Sequence, residues 1–466
     1  LKWLKMAPQY PRWLCMCTLV ALLVLLSPTP AADQDEAESD GTGVCSSNIQ
    51  KPAVHAAFYL WYGNPQVDGR WLHWNHKVLP HWDKQVDARH PKFDWRPPDE
   101  PHSPSMPLRG TYSCRDKVVL REQFQELAAA GVDSAMVSWW GRKDYKGKRD
   151  DADSGANTDE LIPDVLDAAA AAGVGVSWHI EPYGGRTPDT FLDDLRYIHE
   201  QYGSHPGFYR EGPRKLPVFW LYDVSAQHSR EDVTAWRLAL ASVRGTPLDG
   251  IFFCLWIGGL VDDGFVERTG FDGAYTYFAA DGFTPGSTPS NWKDIKRSLD
   301  EKGKLFVPAV GPGYDDQRIR PWNKHNIRER KNGKYYKSMW KEAMKVSPYA
   351  ISVTSYNEWG EGTQIEPAVP HTSRNGIRYE DYSPEAPDFY LKETLRFSKK
   401  FKAKKFKESC SQLQTKKNET IKEEKKASGL SIMKEIAHLS QAELAEVAEA
   451  IAAEQKKKSS ESKEEL

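Results

Sequence analysis

Eight apolar runs alternate with helix-patterned segments, and this alternation restricts the fold more than any other feature. The runs are Val54–Leu60, Ser134–Trp140, Val174–Ile180, Leu216–Leu221, Gly250–Leu255, Asp272–Tyr277, Leu305–Pro308 and Tyr349–Thr354. Between them the apolar spacing predicts helices over 117–130, 158–172, 188–202, 230–243, 291–302 and 335–346, with a last one over 389–401. Strands alternating with helices predict a (β/α)8 barrel of the TIM type with long βα loops. Such barrels carry their chemistry where the strands end. The residues just past the runs suit that expectation. They include Trp61, Tyr62, Trp139, Trp140, His179, Glu181, Tyr183, Tyr222, Trp256, Tyr275, Tyr277 and Asn357.

The eighth run leads into Tyr356-Asn357-Glu358-Trp359-Gly360-Glu361-Gly362-Thr363-Gln364-Ile365-Glu366. Glu358 and Glu361 stand three residues apart with a tryptophan between them, and glycines flank the second acid. An aromatic wall raises the pKa of one carboxyl so that it keeps a proton, while the other stays ionised. That arrangement serves acid–base work on a sugar. The competing reading is a surface loop with two solvated glutamates. Glu366 is a third acid, read as support or surface.

Net charge is −2, so no nucleic acid or other polyion is implied as a partner. Trp is abundant, at 17 residues. Most of these belong in packing, and a few are free to stack on sugar rings.

The organisation follows from composition. Residues 1–32 read as a secretory signal peptide, with a signal-anchor as runner-up. Arg12 precedes a short apolar core, and a true span needs about 20 residues. The protein touches a membrane only if that segment stays uncleaved. Residues 33–50 form an acidic linker, 51–402 the barrel, and 403–466 a Lys/Glu-rich tail, mostly disordered or partly helical. Asn418-Glu419-Thr420 is a glycosylation sequon. The final Lys463-Glu464-Glu465-Leu466 is close to a retrieval signal, so a retrieval receptor is a second expected partner. These marks place the chain in the lumen of the secretory pathway, in the Golgi or endoplasmic reticulum.

Outside the leader, which holds Cys15 and Cys17, no close cysteine pair suggests a zinc ribbon. Cys45 and Cys114 are the disulfide pair to test, and Cys254 reads as a buried thiol. The loop after the first run is rich in His73, His76, His81 and Asp83, whose spacing fits no zinc pattern. Asp150, Asp151 and Asp153 read as a solvated acidic turn, not a calcium loop. No metal or cofactor is expected.

Over residues 52–400 the chain resembles glycoside hydrolase family 99, the endo-α-1,2-mannosidase family. The likeness rests on Phe58–Pro65, Trp74-Asn75-His76, His179–Tyr183, Tyr275–Phe278 and Tyr356–Glu366. It implies a metal-free, retaining, endo-acting enzyme that cleaves an internal α-1,2-mannosidic bond of glucosylated high-mannose N-glycans or related mannan oligosaccharides. It implies Glu361 as general acid/base. Glu358 would deprotonate the sugar's own 2-hydroxyl, which then attacks the anomeric carbon to give an anhydrosugar. It also implies Tyr59, Tyr62, His179, Glu181, Tyr275 and Asn357 around the cleaved sugar, with Trp139 and Trp140 stacked on its neighbour. Tyr183 and Trp359 complete the expected binding set. Core packing competes for Trp140 and Tyr59. One departure is Gly360, where animal members carry histidine, and it leaves substrate preference open. Two further readings stand beside this one: a retaining glycosidase with a carboxylate nucleophile, and a non-catalytic carbohydrate-binding barrel.

Overall fold

Val54–Phe58 becomes strand β1, and parallel neighbours occupy both of its edges. Ser134–Trp139 (β2) pairs along one edge, with His55 opposite Ser134 and Phe58 opposite Val137. Then follow Gly175–Ile180 (β3), Leu216–Leu221 (β4), Ile251–Leu255 (β5) and Gly273–Tyr275 (β6), each parallel to the one before. Strand β7 comes in two pieces, Leu305–Val307 and Ala309–Val310. The first piece pairs with β6 and the second with Ile351–Val353 (β8). Pro308 divides them because proline has no N–H for the ladder. Its carbonyl still accepts from Ser352 N–H at 3.1 Å. β8 closes the ring on the free edge of β1, with Val54 opposite Ile351 and Ala56 opposite Val353. The architecture is the expected (β/α)8 barrel.

The structure is a computed structural model, and it describes residues 51–90, 92–142, 155–224, 230–258 and 263–464. The expected leader and linker, Cys45, the acidic turn at Asp150, Asp151 and Asp153, and the terminal Glu465 and Leu466 lie outside the described residues.

The shell helices form for local reasons. Lys117–Ala129 (α1) is capped by Asp116, whose carboxylate accepts from Val118 N–H at 2.8 Å. Ile162–Ala172 (α2) stops at Gly173, at φ 72°. Pro188–Tyr202 (α3) opens on a capping box of Thr187 and Thr190. Arg230–Val243 (α4) follows as expected. The short helix Asp263–Thr269 (α5) was not expected. At seven residues it is too brief to display a clear period, although it buries Phe265 and Val266. Trp292–Glu301 (α6) and Lys334–Lys345 (α7) complete the alternation.

The helix Phe389–Ile436 (α8) starts against the barrel. Phe397 stacks on Trp340 of α7 with ring centres 5.6 Å apart. Ser398 Oγ donates to the Gly131 carbonyl at 2.7 Å. These contacts belong to the compact unit Gln50–Phe406, whereas Lys407–Leu466 belongs to a second unit. There, where a disordered or partly helical tail is expected, α8 continues to Ile436 and is followed by Gln441–Glu464 (α9). Lys, Glu and Ala are strong helix formers, so this composition serves a solvated helix as readily as a linker. Ser440 starts α9: its N–H donates to Glu443 Oε2 at 2.9 Å. Among the described residues, no helix is long and apolar enough to cross a membrane.

Cys114 is buried under β1 as a free thiol, 3.7 Å from the Tyr59 carbonyl, and Cys254 is buried in β5 as expected. Strand packing leaves no room at Gly273 in β6, where an added Cβ would sit 2.3 Å from the Leu305 carbonyl. Gly273→Ala should therefore lower stability by about 1–3 kcal/mol, read from the midpoint of urea unfolding.

Candidate active site

The chain leaving β8 is folded by its own side chains. Ser355 Oγ accepts from Glu358 N–H at 2.7 Å and lies 2.9 Å from Thr363 Oγ1. Ser355 N–H donates to the Thr363 carbonyl, and Ile365 N–H to the Ser355 carbonyl, each at 2.9 Å. The loop thus returns on itself, and its two acids reach the same cavity at the strand ends. Glu358 and Glu361 both line it.

The rest of the motif turns away from that cavity. Asn357 accepts from Tyr59 N–H at 2.8 Å and donates to the Tyr59 carbonyl at 2.9 Å. Trp359 is fully buried, its N–H donating to Tyr62 Oη at 3.0 Å and its indole N–H to Glu366 Oε2 at 2.9 Å. Glu366 is support, not surface. It also accepts from Tyr112 Oη, Gln123 Nε2 and Arg109 Nη1 at 2.8, 2.9 and 3.1 Å. Burial pushes this carboxyl up to about 7, against the pull of Arg109.

Several expected binding residues are therefore corrected. Tyr62, Asn357 and Trp359 brace the motif loop from behind. Trp139 is packed in the core, its indole N–H donating to Asp159 Oδ1 at 2.9 Å. Tyr183 is buried and donates to Asp194. His179 is buried behind Glu181, with Nδ1 2.8 Å from Glu181 Oε1 and Nε2 2.8 Å from Tyr275 Oη. Tyr275 is buried in turn. Alternation turns Tyr62, Trp139 and Asn357 away from their cavity-lining neighbours Trp61, Trp140 and Glu358, whereas His179 and Tyr275 share a face with Glu181 and Tyr277 and lie deeper in the barrel. The expected residues that reach the mouth are Tyr59, Trp140 and Glu181, together with the two catalytic candidates. Trp140 and Tyr59 thus pack against the core and line the cavity as well. Gly360 does not line the cavity either. An added Cβ there would lie 2.7 Å from His102 Nε2 and 3.0 Å from Glu358 Oε1, so the residue bears on how Glu358 is seated.

Other lining residues lay outside the expected binding set, although Trp61, Tyr222 and Tyr277 are among the strand-end residues picked out from the sequence. Trp61, His73, His76 and Leu79 come from the loop after β1, Tyr222 from the end of β4, and Tyr277 from beyond β6. His73 stacks on Trp61 at 4.1 Å and packs edge-on to His102 at 5.1 Å, so these histidines serve as aromatic wall. No group of three or more His, Cys, Asp or Glu among the described residues is placed to hold a metal ion. The most consequential omission is Arg320, with Ile319, from the loop after β7. The strand-end rule applied to the seventh run leads into Tyr314–Arg320, so the signal was present.

Arg320 is the cation of the site. Its Nη1 lies 3.7 Å from Glu361 Oε1 and 3.1 Å from Asp316 Oδ2. Asp316 is fully buried and also accepts from Tyr314 Oη at 2.9 Å and from Asn323 Nδ2 at 2.9 and 3.0 Å. Asp315 N–H donates to the Glu361 carbonyl at 2.8 Å, joining this loop to the motif.

The electrostatics match a proton-handling pair. Burial raises Glu361 to about 7, while Arg320 pulls it down. Burial raises Glu358 further, and the neighbouring Glu361 charge adds to the rise. At neutral pH the two carboxyls together hold a proton, and their titration belongs to the pair. Oε2 of each has no hydrogen-bond partner within the protein. Two unpartnered acid oxygens in a cavity with aromatic walls suit a polar ligand with apolar faces.

Paired carboxyls at the strand ends of a (β/α)8 barrel, enclosed by aromatic rings, define a barrel glycoside hydrolase. The sequence model of glycosyl hydrolase family 99 matches residues 50–403, and the chain belongs to that family. A glycoprotein endo-alpha-1,2-mannosidase-like protein of Homo sapiens is 42% identical over 359 residues, covering 75% of each chain. A glycoprotein endo-alpha-1,2-mannosidase of Mus musculus is likewise 42% identical, over 75% of this chain and 74% of its own. Among solved structures, the GH99 endo-alpha-mannosidase from Bacteroides thetaiotaomicron matches with a TM-score of 0.67 at 39% identity. That match covers 75% of this chain and 97% of the other.

The raised Glu361 carboxyl has a consequence for stability. Its folded value near 7 exceeds the ordinary 4.5, so its contribution is full below about 4.5 and is lost as pH rises through about 7. Glu361→Gln removes that penalty. The variant should be more stable than the wild type at pH 8, by up to about 3 kcal/mol, and the gap should close near pH 4. Thermal unfolding across that pH range checks this.

Proposed function

We propose that the protein is a retaining endo-α-1,2-mannosidase acting on glucosylated high-mannose N-glycans through participation of the substrate's 2-hydroxyl. The observation that carries this reading is the pair of carboxyls lining one cavity, each with a buried oxygen that has no partner within the protein, and only one of them beside a guanidinium. The relatives' names support an α-1,2-mannosidic bond of a glycoprotein, and the family resemblance supports the glucosylated high-mannose glycan. In an α-mannoside the axial 2-hydroxyl is trans to the leaving group and already placed for attack, so proximity replaces a protein nucleophile.

In the empty site Arg320 favours charge on Glu361, and the proton rests on Glu358. A sugar whose 2-hydroxyl donates to Glu358 stabilises the ionised form of that acid, and the proton passes to Glu361. Glu358 then removes the 2-hydroxyl proton as O2 bonds to C1. The bond from C1 to the leaving oxygen breaks, and Glu361 gives its proton to that oxygen. In the second half Glu361 takes a proton from water, whose oxygen bonds to C1. The C1–O2 bond opens, and Glu358 returns its proton to O2. Two inversions give net retention. Tyr59 and Tyr277 pair through their hydroxyls at the cavity wall, offering polar contacts to the sugar.

We place this activity in the lumen of the secretory pathway. The leader-like N-terminal stretch supports this, as does the exposed sequon residue Asn418. The terminal Lys-Glu-Glu-Leu supports a retrieval receptor as partner.

Glu361→Gln should reduce cleavage of an unactivated glycan at least about a hundred-fold while glycan binding persists. Turnover within a few-fold of wild type would show that Glu361 is not the acid. Replacing the 2-hydroxyl of the target mannose by fluorine should stop cleavage; continued release of product would favour a carboxylate nucleophile. The reactive pair holds one proton and no more, so the pH–rate profile should be bell-shaped, with its acid limb near 7 where Glu361 titrates in the free protein.

A further inference from the structure

The catalytic cavity has a volume of about 190 Å³. Ligand clefts commonly run to roughly 300–1,000 Å³, so an oligosaccharide cut internally extends well past this one. The wall of the cavity shows one direction in which it can continue. Leu79 and Ile319 both line the cavity, and Leu79 N–H donates to the Ile319 carbonyl at 2.9 Å. The loops after β1 and β7 are joined there. Just beyond the junction both loops carry aromatic residues: His81 and Trp82 on one, Trp322 on the other. His81 stacks on Trp82 with ring centres 3.8 Å apart and meets Trp322 edge-on at 5.1 Å.

Trp82 is 86% exposed, and among the described residues no other tryptophan is exposed. Its backing is built. His81 N–H donates to Asp87 Oδ1, and Asp83 N–H donates to His81 Nδ1, each at 2.9 Å. Asp83 in turn caps the short helix Lys84–Asp87 through Gln85 N–H at 2.8 Å. His81 covers one face of the indole, and the other is open. Trp82 follows Leu79 by three residues, at most about 10 Å of extended chain. A flat apolar ring beside polar groups, continuous with a sugar-cutting cavity, matches the C–H face and hydroxyl edge of a pyranose.

We propose that the open face of Trp82, held by His81 and Trp322, is a binding subsite for a pyranose of the substrate glycan that lies outside the catalytic cavity. The proposal rests on the endo-acting reading above and adds to it a place for a distal sugar.

The test uses the full-length protein and two substrates cut at the same bond: a complete high-mannose oligosaccharide, and a short aryl glycoside carrying only the sugars next to that bond. Trp82→Ala should raise KM for the oligosaccharide about three- to ten-fold with kcat little changed, and leave the aryl glycoside unaffected. Trp82→Phe, which keeps a flat ring, should recover most of the loss. Unchanged KM for the oligosaccharide would overturn the subsite and leave the indole to some other partner. Equal losses on both substrates would also overturn it, because they would mean that Trp82 shapes the cavity itself. Wild-type protein that cleaves neither substrate would overturn the proposed function along with the subsite.

Discussion

One side chain ties the last barrel strand to the first. Asn357, just beyond β8, both accepts from and donates to the backbone of Tyr59, just beyond β1. Those two backbone groups lie past the end of the β1 ladder, and buried backbone groups without partners are costly. Asparagine supplies a donor and an acceptor in one plane and satisfies both. The same contact sets where the next residue begins, and that residue is Glu358. The amide thus extends the β8–β1 closure past the ladder and sets the aim of Glu358.

Around that point the protein places charge where it is expensive. Glu358, Glu361, Glu366 and Asp316 all sit in or under the mouth of the barrel. The two structural acids are saturated with donors: Glu366 by Arg109, Tyr112, Gln123 and Trp359, and Asp316 by Tyr314, Arg320 and Asn323. The two cavity acids each keep an oxygen without a partner. A buried acid that is satisfied works as scaffold, while one left open is poised to exchange a proton. Arg320 joins the two groups, since it pairs with Asp316 and faces Glu361.

Much of this was legible in the order of residues. The eight runs, six of the intervening helices and the pair of acids after the eighth run are local patterns, and each formed near its expected place. Helix α5 escaped because seven residues hold too few turns to show a period. The tail, expected as disordered or partly helical, carries the helical part of that reading, because Lys and Glu serve both helices and solvated linkers. Arg320 was missed because it lies ten residues past the seventh strand, beyond the residues just after the strand end. Trp139, His179, Tyr183 and Trp359 were over-read for the opposite reason: their residue types suit sugar binding wherever they occur.

Sequence alone determined the barrel, the family likeness and the pair of acids that follows the last strand, because periodicity and turn residues act over a few positions. Only the tertiary structure decided which side of each strand end faces the cavity. It alone showed that Glu366 is buried under the motif and that an arginine from the neighbouring loop stands beside Glu361. Side-chain direction at a strand end depends on register and on what packs behind it, and both are set by residues far away in the chain.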